Sequence, residues 1–204
     1  MSSTTPVYHY FELGRLGRGE VLYLFLKDAG IEIKEVRYPY DDSWAENSKK
    51  LQQRGITRPG KLPALEYQGT VLTQHIPILR FFARDLGRYD GETNAEKFVV
   101  DAVSDIYIDW RSQWVANLTE KSEKYRNEVS PGYYKLLGQY YEDRAGPYLL
   151  GDKVTYADFA VYQSIDNDER TGTLPPLPKS LITFRGVFEQ RPNIAAYIRE
   201  NLQT

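Results

Sequence analysis

The chain has 204 residues, 41% hydrophobic and 26% charged, with a formal net charge of −2. That is enough apolar material for a packed core, and no basic excess points to a nucleic-acid partner. Cysteine is absent and histidine occurs only at His9 and His75, which excludes disulfides, thiolate metal centres and a protein thiol nucleophile, and leaves too few ligands for an ordinary zinc site. No apolar run approaches the roughly 18 residues needed to span a bilayer, so no membrane association is expected. The opening residues 1–6 carry neither a basic nor an apolar leader segment, and a cytoplasmic location is expected.

In chain order, Val7-Tyr8-His9-Tyr10-Phe11 is β-branched and aromatic and predicts a first strand. A turn over Gly14–Gly19 leads to a helix from Glu20 to Ala29, closed by Gly30. Residues Ile31 to Tyr38 alternate and predict a second strand, followed by a polar stretch with a short helix from Asp42 or Ser43 through Leu51. Next comes Gly60-Lys61-Leu62-Pro63-Ala64-Leu65-Glu66, a loop with a proline entering a strand, then a Gly69 turn and a second short strand. A proline here denies a donor to the ladder where none is wanted and is a candidate for a cis peptide bond. Leu72-Thr73-Gln74-His75-Ile76-Pro77 opens a helix that runs to about Leu86 and stops at Gly87; its proline falls in the first turn, where a missing N–H costs nothing. The Gln74-His75 pair brings polar side chains to that helix N-terminus, a place suited to a small anion.

From Asn94 onward the strand signals stop. Ala95 to Ala116 and Pro131 to Arg144 predict two long helices, Thr155-Tyr156-Ala157-Asp158 a capping-box-like helix start, and Pro175, Pro176 and Pro178 a loop before a final helix from Arg191. The expected organisation is an α/β domain over 1–87, a linker over 88–94 and an all-α domain over 95–204. Two apparent motifs carry nothing. Gly55–Lys61 begins like a phosphate-binding loop, but Leu62 stands where a magnesium-binding Ser or Thr is required, and a strand follows instead of a helix. Gly14, Gly17 and Gly19 reverse the spacing of a dinucleotide fingerprint.

These segments together resemble a cytosolic glutathione transferase of the tyrosine-type, sigma-like branch, over nearly the whole chain. Tyr10-Phe11 with Gly17-Arg18-Gly19-Glu20 resembles the strand and turn that present the family's tyrosine. Gly60-Lys61-Leu62-Pro63 resembles its cis-proline loop, and Leu72-Thr73-Gln74-His75 the segment holding the glutamyl end of glutathione. Tyr148–Asp152 with Val154–Phe159 resembles the N-capping motif of the second domain. The resemblance implies a thioredoxin-like N-terminal domain, a helical C-terminal domain, glutathione as cosubstrate, no metal, a homodimer and a role in detoxification or small-molecule metabolism. The missing cysteine agrees with a thiol that arrives on the ligand, and argues against a thioredoxin or glutaredoxin.

Residue by residue, the resemblance implies Tyr10 as the catalytic hydroxyl, with Tyr8 on the same strand face as fallback and Arg18 bracing it. It implies Leu62 and Pro63 at the cysteinyl part of glutathione, Lys61 and Trp44 near the glycine carboxylate, and Gln74 and His75 at the γ-glutamyl end. Asp101, Asp105 and Asp109 fall on one helix face, and Asp109 aligns with the aspartate that reaches the partner's glutathione in the dimer; a solvated acidic face is the alternative. Tyr107, Trp110, Arg111 and Trp114 are expected to line a pocket for an apolar electrophile. Three departures stand out. His75 occupies the place of the family's serine, the turn between Tyr10 and Arg18 is longer, and the segment from Trp44 to Lys61 is longer too, so the lysine that follows the tryptophan is Lys49, Lys50 or absent. The expected reaction is attack of glutathione thiolate on an electrophile. Glutathione-dependent isomerisation or elimination, or a non-catalytic binding role on the same fold, are the alternatives.

Overall fold

The computed structural model describes residues 5–201. The chain divides into two compact units, Met1–Phe82 and Ala83–Thr204, and residues 88–94 lie within the second. The family fold expected from the sequence is present: a mixed four-stranded sheet with three helices, then helices alone.

The first unit holds β1 (Val7–Phe11), α1 (Arg18–Ala29), β2 (Lys34–Tyr38), α2 (Trp44–Gln53), β3 (Ala64–Tyr67), β4 (Thr70–Thr73) and most of α3 (His75–Asp85), whose last residues, from Ala83, fall in the second. The sheet order is β2-β1-β3-β4, with β1 parallel to β2 and the other neighbours antiparallel. The second strand is shorter than its alternation predicts, starting at Lys34 instead of Ile31. The reason lies in how α1 ends. Gly30 adopts the left-handed region at φ 72°, and the Ile31 N–H donates back to the Leu26 carbonyl at 2.9 Å. Ile31 is thereby spent on closing a helix. At the β3–β4 hairpin, Gln68 and Gly69 both have positive φ, 49° and 75°, as a two-residue turn of matching twist requires.

Period-two alternation sends Tyr8 and Tyr10 to one face of the sheet and Val7, His9 and Phe11 to the other. On the latter face the Trp44 ring packs edge-on against Phe11, at 4.5 Å between centroids, and stands 6.1 Å from Tyr38. His9 is buried there, its Nε2 2.8 Å from a Glu66 oxygen and its Nδ1 2.8 Å from the Tyr38 hydroxyl. Since the carboxylate can only accept, Nε2 carries a proton and donates to Glu66.

The second unit holds α4 (Asn94–Ala116), a π-helical turn (Tyr125–Val129) leading into α5 (Ser130–Glu142), α6 (Tyr156–Thr171), α7 (Lys179–Glu189) and α8 (Pro192–Asn201). Thr155 and Asp158 form a capping box on α6, as their spacing predicts, and Thr93 and Glu96 form a second one on α4 that the sequence reading does not include. Helix α7 has no counterpart in the sequence-based reading, which passes from the proline cluster to the last helix. Its signal is present in hindsight, because Leu181, Phe184 and Phe188 recur at helical spacing and are all fully buried.

Two buried aspartates tie this unit together. Asp158 accepts from the Thr155 N–H at 2.6 Å, the Thr155 hydroxyl at 2.8 Å, the Tyr141 hydroxyl at 2.7 Å and the Leu149 N–H at 3.1 Å. Asp168 accepts from Tyr125, Tyr134, Thr173 and the Trp110 indole at 2.6–3.0 Å, and from Ser130 at 3.4 Å. Burial pushes both carboxyl groups above the usual carboxylate range, while the surrounding donors pull the other way.

Candidate active site

The loop between α2 and β3 is held from both sides. The Thr57 side chain, fully buried, donates to the Lys61 carbonyl at 2.8 Å and accepts from the Lys61 N–H at 3.2 Å. From α2, Ser48 donates to the Gly60 carbonyl at 2.9 Å and Gln52 to the Arg58 carbonyl at 3.1 Å. Gly60 has φ 64°, and a Cβ on it would sit 2.5 Å from the Ser48 hydroxyl, so both the conformation and the close approach favour glycine. The outcome is a fixed presentation of Lys61, Leu62 and Pro63, with the Leu62–Pro63 peptide bond cis, as the sequence suggests it can be.

Across from this loop, Gln74 joins β4 to α3 with φ 70°, a left-handed conformation uncommon for a residue with a side chain. Its carbonyl accepts the first bond of α3, from the Ile78 N–H at 3.0 Å. Arg18, Pro59, Lys61, Leu62, Pro63, Thr73, Gln74 and His75 together line a narrow cleft. Six of these are glutathione-site residues expected from the sequence. None of the lining residues is acidic, two are cationic and one end is a helix N-terminus, so the cleft is suited to an anionic group. Lys61 and Gln74 are exposed, Arg18 is half-buried, and His75 is buried. Thr73 and Pro59 join the lining without having been singled out from the sequence. Thr57, which braces the loop, carries no sequence signal that separates it from other loop threonines.

Two expected glutathione-site residues lie outside this cleft. Trp44 packs on Phe11 and Tyr38, and Asp109 belongs to α4 of the second unit, where it is exposed beside Asp105. Asp101, on the same helix face, receives the Tyr156 hydroxyl. Of the expected electrophile-pocket residues, Tyr107, Trp110 and Trp114 are buried and donate to α6: to Gln163 at 3.0 Å, Asp168 at 3.0 Å and Thr171 at 3.3 Å. Arg111 is also buried, its guanidinium carbon 5.3 Å from the Trp114 ring centroid.

Tyr8 and Tyr10 share a face, with ring centroids 6.1 Å apart, and both pack on the first turn of α1. A Cβ on Gly19 would approach the Tyr8 hydroxyl to 2.3 Å and the Tyr10 ring to 2.4 Å, so Gly19 is the residue that lets both side chains in. Their surroundings differ. Tyr8 is fully buried, with the Arg37 guanidinium 5.2 Å above its ring and a hydroxyl that bonds no group among the described residues. Burial first, and the neighbouring Tyr10 second, push its hydroxyl well above the ordinary phenol range. Tyr10, nearer the end of β1, is 3% exposed.

Residues 108–201 match the family model "Glutathione S-transferase, C-terminal domain". The chain is 32% identical over 186 residues to glutathione S-transferase Mu 1 of Oryctolagus cuniculus, covering 87% of this chain and 84% of that protein. It belongs to the glutathione S-transferase family. The transferase is also 29% identical over 210 residues to hematopoietic prostaglandin D synthase of Mus musculus, with 98% of each covered. Among solved structures, a glutathione S-transferase of Caenorhabditis elegans superposes with a TM-score of 0.82 at 27% identity, over 97% of this chain and 98% of that one. The chain is therefore an enzyme of this family with the expected two-part fold.

Proposed function

We propose that this transferase activates the thiol of glutathione with the Tyr10 hydroxyl and adds the thiolate to an apolar electrophilic small molecule. The observation that carries this reading is the acid-free cleft of the first unit, where Lys61, Leu62, Pro63, Gln74 and Arg18 come together around a fixed loop. In it, Leu62 offers its backbone to the cysteinyl residue, Lys61 and Arg18 attract carboxylate, and Gln74 with the α3 N-terminus takes the γ-glutamyl end. His75, being buried, serves this end from beneath. Asp109 keeps the role of reaching a partner's glutathione in a homodimer.

The chemical demand is modest. A free thiol has a pKa of about 8.5, so only a few per cent is thiolate at neutral pH. Lowering it by about two units requires about 2.7 kcal/mol of preferential stabilisation of the anion. A hydrogen bond donated by a tyrosine hydroxyl favours the charged form and supplies part of this. Tyr10 suits the task better than Tyr8, whose hydroxyl is sealed in the core.

The test is thiolate absorbance when glutathione binds near neutral pH, compared between wild type and Tyr10→Phe. The variant should lose the rise, and its kcat/KM should fall about tenfold to a hundredfold, with the rising limb of the pH profile displaced upward by about one to two units. Loss of the rise in Tyr8→Phe instead would transfer the role to Tyr8. A second reading, in which the thiol is returned after isomerising a substrate, draws on the similarity to a protein named as a prostaglandin D synthase. Stoichiometric loss of free thiol during turnover supports conjugation; its absence supports isomerisation.

A further inference from the structure

Four buried polar atoms of the second unit bond nothing among the described residues: Nε and Nη1 of Arg111, and both Nδ2 and Oδ1 of Asn167. Arg111 is 9% exposed and Asn167 is 0% exposed. The two residues sit on facing helices. Tyr107 donates to Gln163, Trp110 to Asp168 and Trp114 to Thr171, at sequence separations of 56, 58 and 57, so α4 and α6 run side by side in the same direction. Arg111 follows Tyr107 by one turn, and Asn167 follows Gln163 by one turn, which puts both in the same register between the outer rungs.

Among the described residues, no ion pair neutralises the guanidinium. Both oxygens of Asp168 are occupied by tyrosine, tryptophan, serine and threonine donors. Asp166 is paired with Arg170 at 2.8 Å. The Trp114 ring lies against Arg111 but consumes none of its N–H groups. A buried cation without an acidic partner is among the costliest groups a core can hold, and an asparagine with both ends of its amide unfilled adds to the cost. Such groups persist where something else completes them. Every other side chain expected at the electrophile pocket already has its polar atom committed to α6, leaving Arg111 as the one with donors to spare.

We propose that Arg111 and Asn167 form an internal site for a small univalent anion in the α4–α6 seam beside Trp114. The anion is either a free ion or a carboxylate carried by the electrophile; the second source rests on the conjugation reading above. A guanidinium supplies charge and donors, and the asparagine Nδ2 a further donor, a combination that prefers an anion to water.

Two measurements on the full chain separate these sources. In the first, bromide is titrated against gluconate at constant ionic strength in a Trp44→Phe background, which leaves only Trp110 and Trp114 to report by fluorescence. Saturable quenching is expected, lost in Arg111→Met and weakened about tenfold or more in Asn167→Ala. In the second, glutathione conjugation is followed with a matched pair of benzylic halides, one neutral and one bearing a carboxylate. Arg111→Met should lower the ratio of kcat/KM for the carboxylate over the neutral compound by about tenfold or more, and Arg111→Lys should restore part of it. A fall in this ratio assigns the site to the electrophile; saturable bromide quenching without it assigns the site to a free ion. If the neutral halide is not conjugated at all, the conjugation reading fails while the bromide titration still judges the site. Circular dichroism melts confirm that each variant folds, and Asn167→Ala carries the test should Arg111→Met not fold. Linear quenching insensitive to both substitutions, together with an unchanged ratio, overturns the proposal and leaves the seam as a place for buried water.

Discussion

The cleft of the first unit and the polar core of the second are both built from hydrogen-bonding groups, and they use them in opposite ways. In the cleft, donors from Thr57, Ser48 and Gln52 are spent on holding backbone, while Lys61 and Gln74 remain exposed. In the helical core, Asp158 and Asp168 collect donors from distant segments until no oxygen is left for a ligand. A site that must bind something keeps groups in reserve and tolerates strain, as at Gln74. A site that only holds a fold together satisfies every group it buries.

The sharpest way to break this contrast is to remove a collector. Asp158→Ala leaves four donors without an acceptor in a fully buried place, and about 3–5 kcal/mol of stability should disappear in denaturant unfolding. A smaller effect is expected at the junction of strand and helix. Gly19→Ala forces a Cβ against the Tyr8 hydroxyl and the Tyr10 ring, and should cost about 1–3 kcal/mol while lowering kcat by displacing Tyr10. The smallest effect has the opposite sign. Gln74→Gly relieves a left-handed residue and should stabilise the protein by up to about 1 kcal/mol, while the glutathione KM rises. A loss of stability there, with KM unchanged, would place Gln74 among the structural residues.

Much of the first unit is legible in the sequence, because its decisive features are local. A proline after Gly60-Lys61-Leu62, a glycine at a tight turn and a polar pair before a helix each declare a backbone geometry over a few residues. The capping box at Thr155 and Asp158 is legible for the same reason. Asp168 is not. Its five donors come from α4, the π-helical turn, α5 and the loop after α6, and no spacing within the chain links Trp110, Tyr125, Ser130, Tyr134 and Thr173. The start of β2 is misread because alternation continues through Ile31 and Ile33, while the Ile31 N–H has already been claimed by the end of α1. Arg111 illustrates a third limit. The resemblance places it at an electrophile pocket, and only its burial and the rungs on either side show that it is enclosed between two helices.

The tyrosines that serve the two aspartates have a consequence for alkaline solution. Burial, chiefly, raises the hydroxyl pKa of these three, Tyr125, Tyr134 and Tyr141, and of Tyr133, which donates to Ser164, above the ordinary value of about 10. A phenol whose folded pKa exceeds its unfolded one contributes its full share of stability below about pH 10, and that share drains away as the pH climbs beyond it. The helical unit therefore has an alkaline ceiling written in phenol groups, and in a pH titration the tyrosinate absorbance of these four residues should emerge together with the loss of helix.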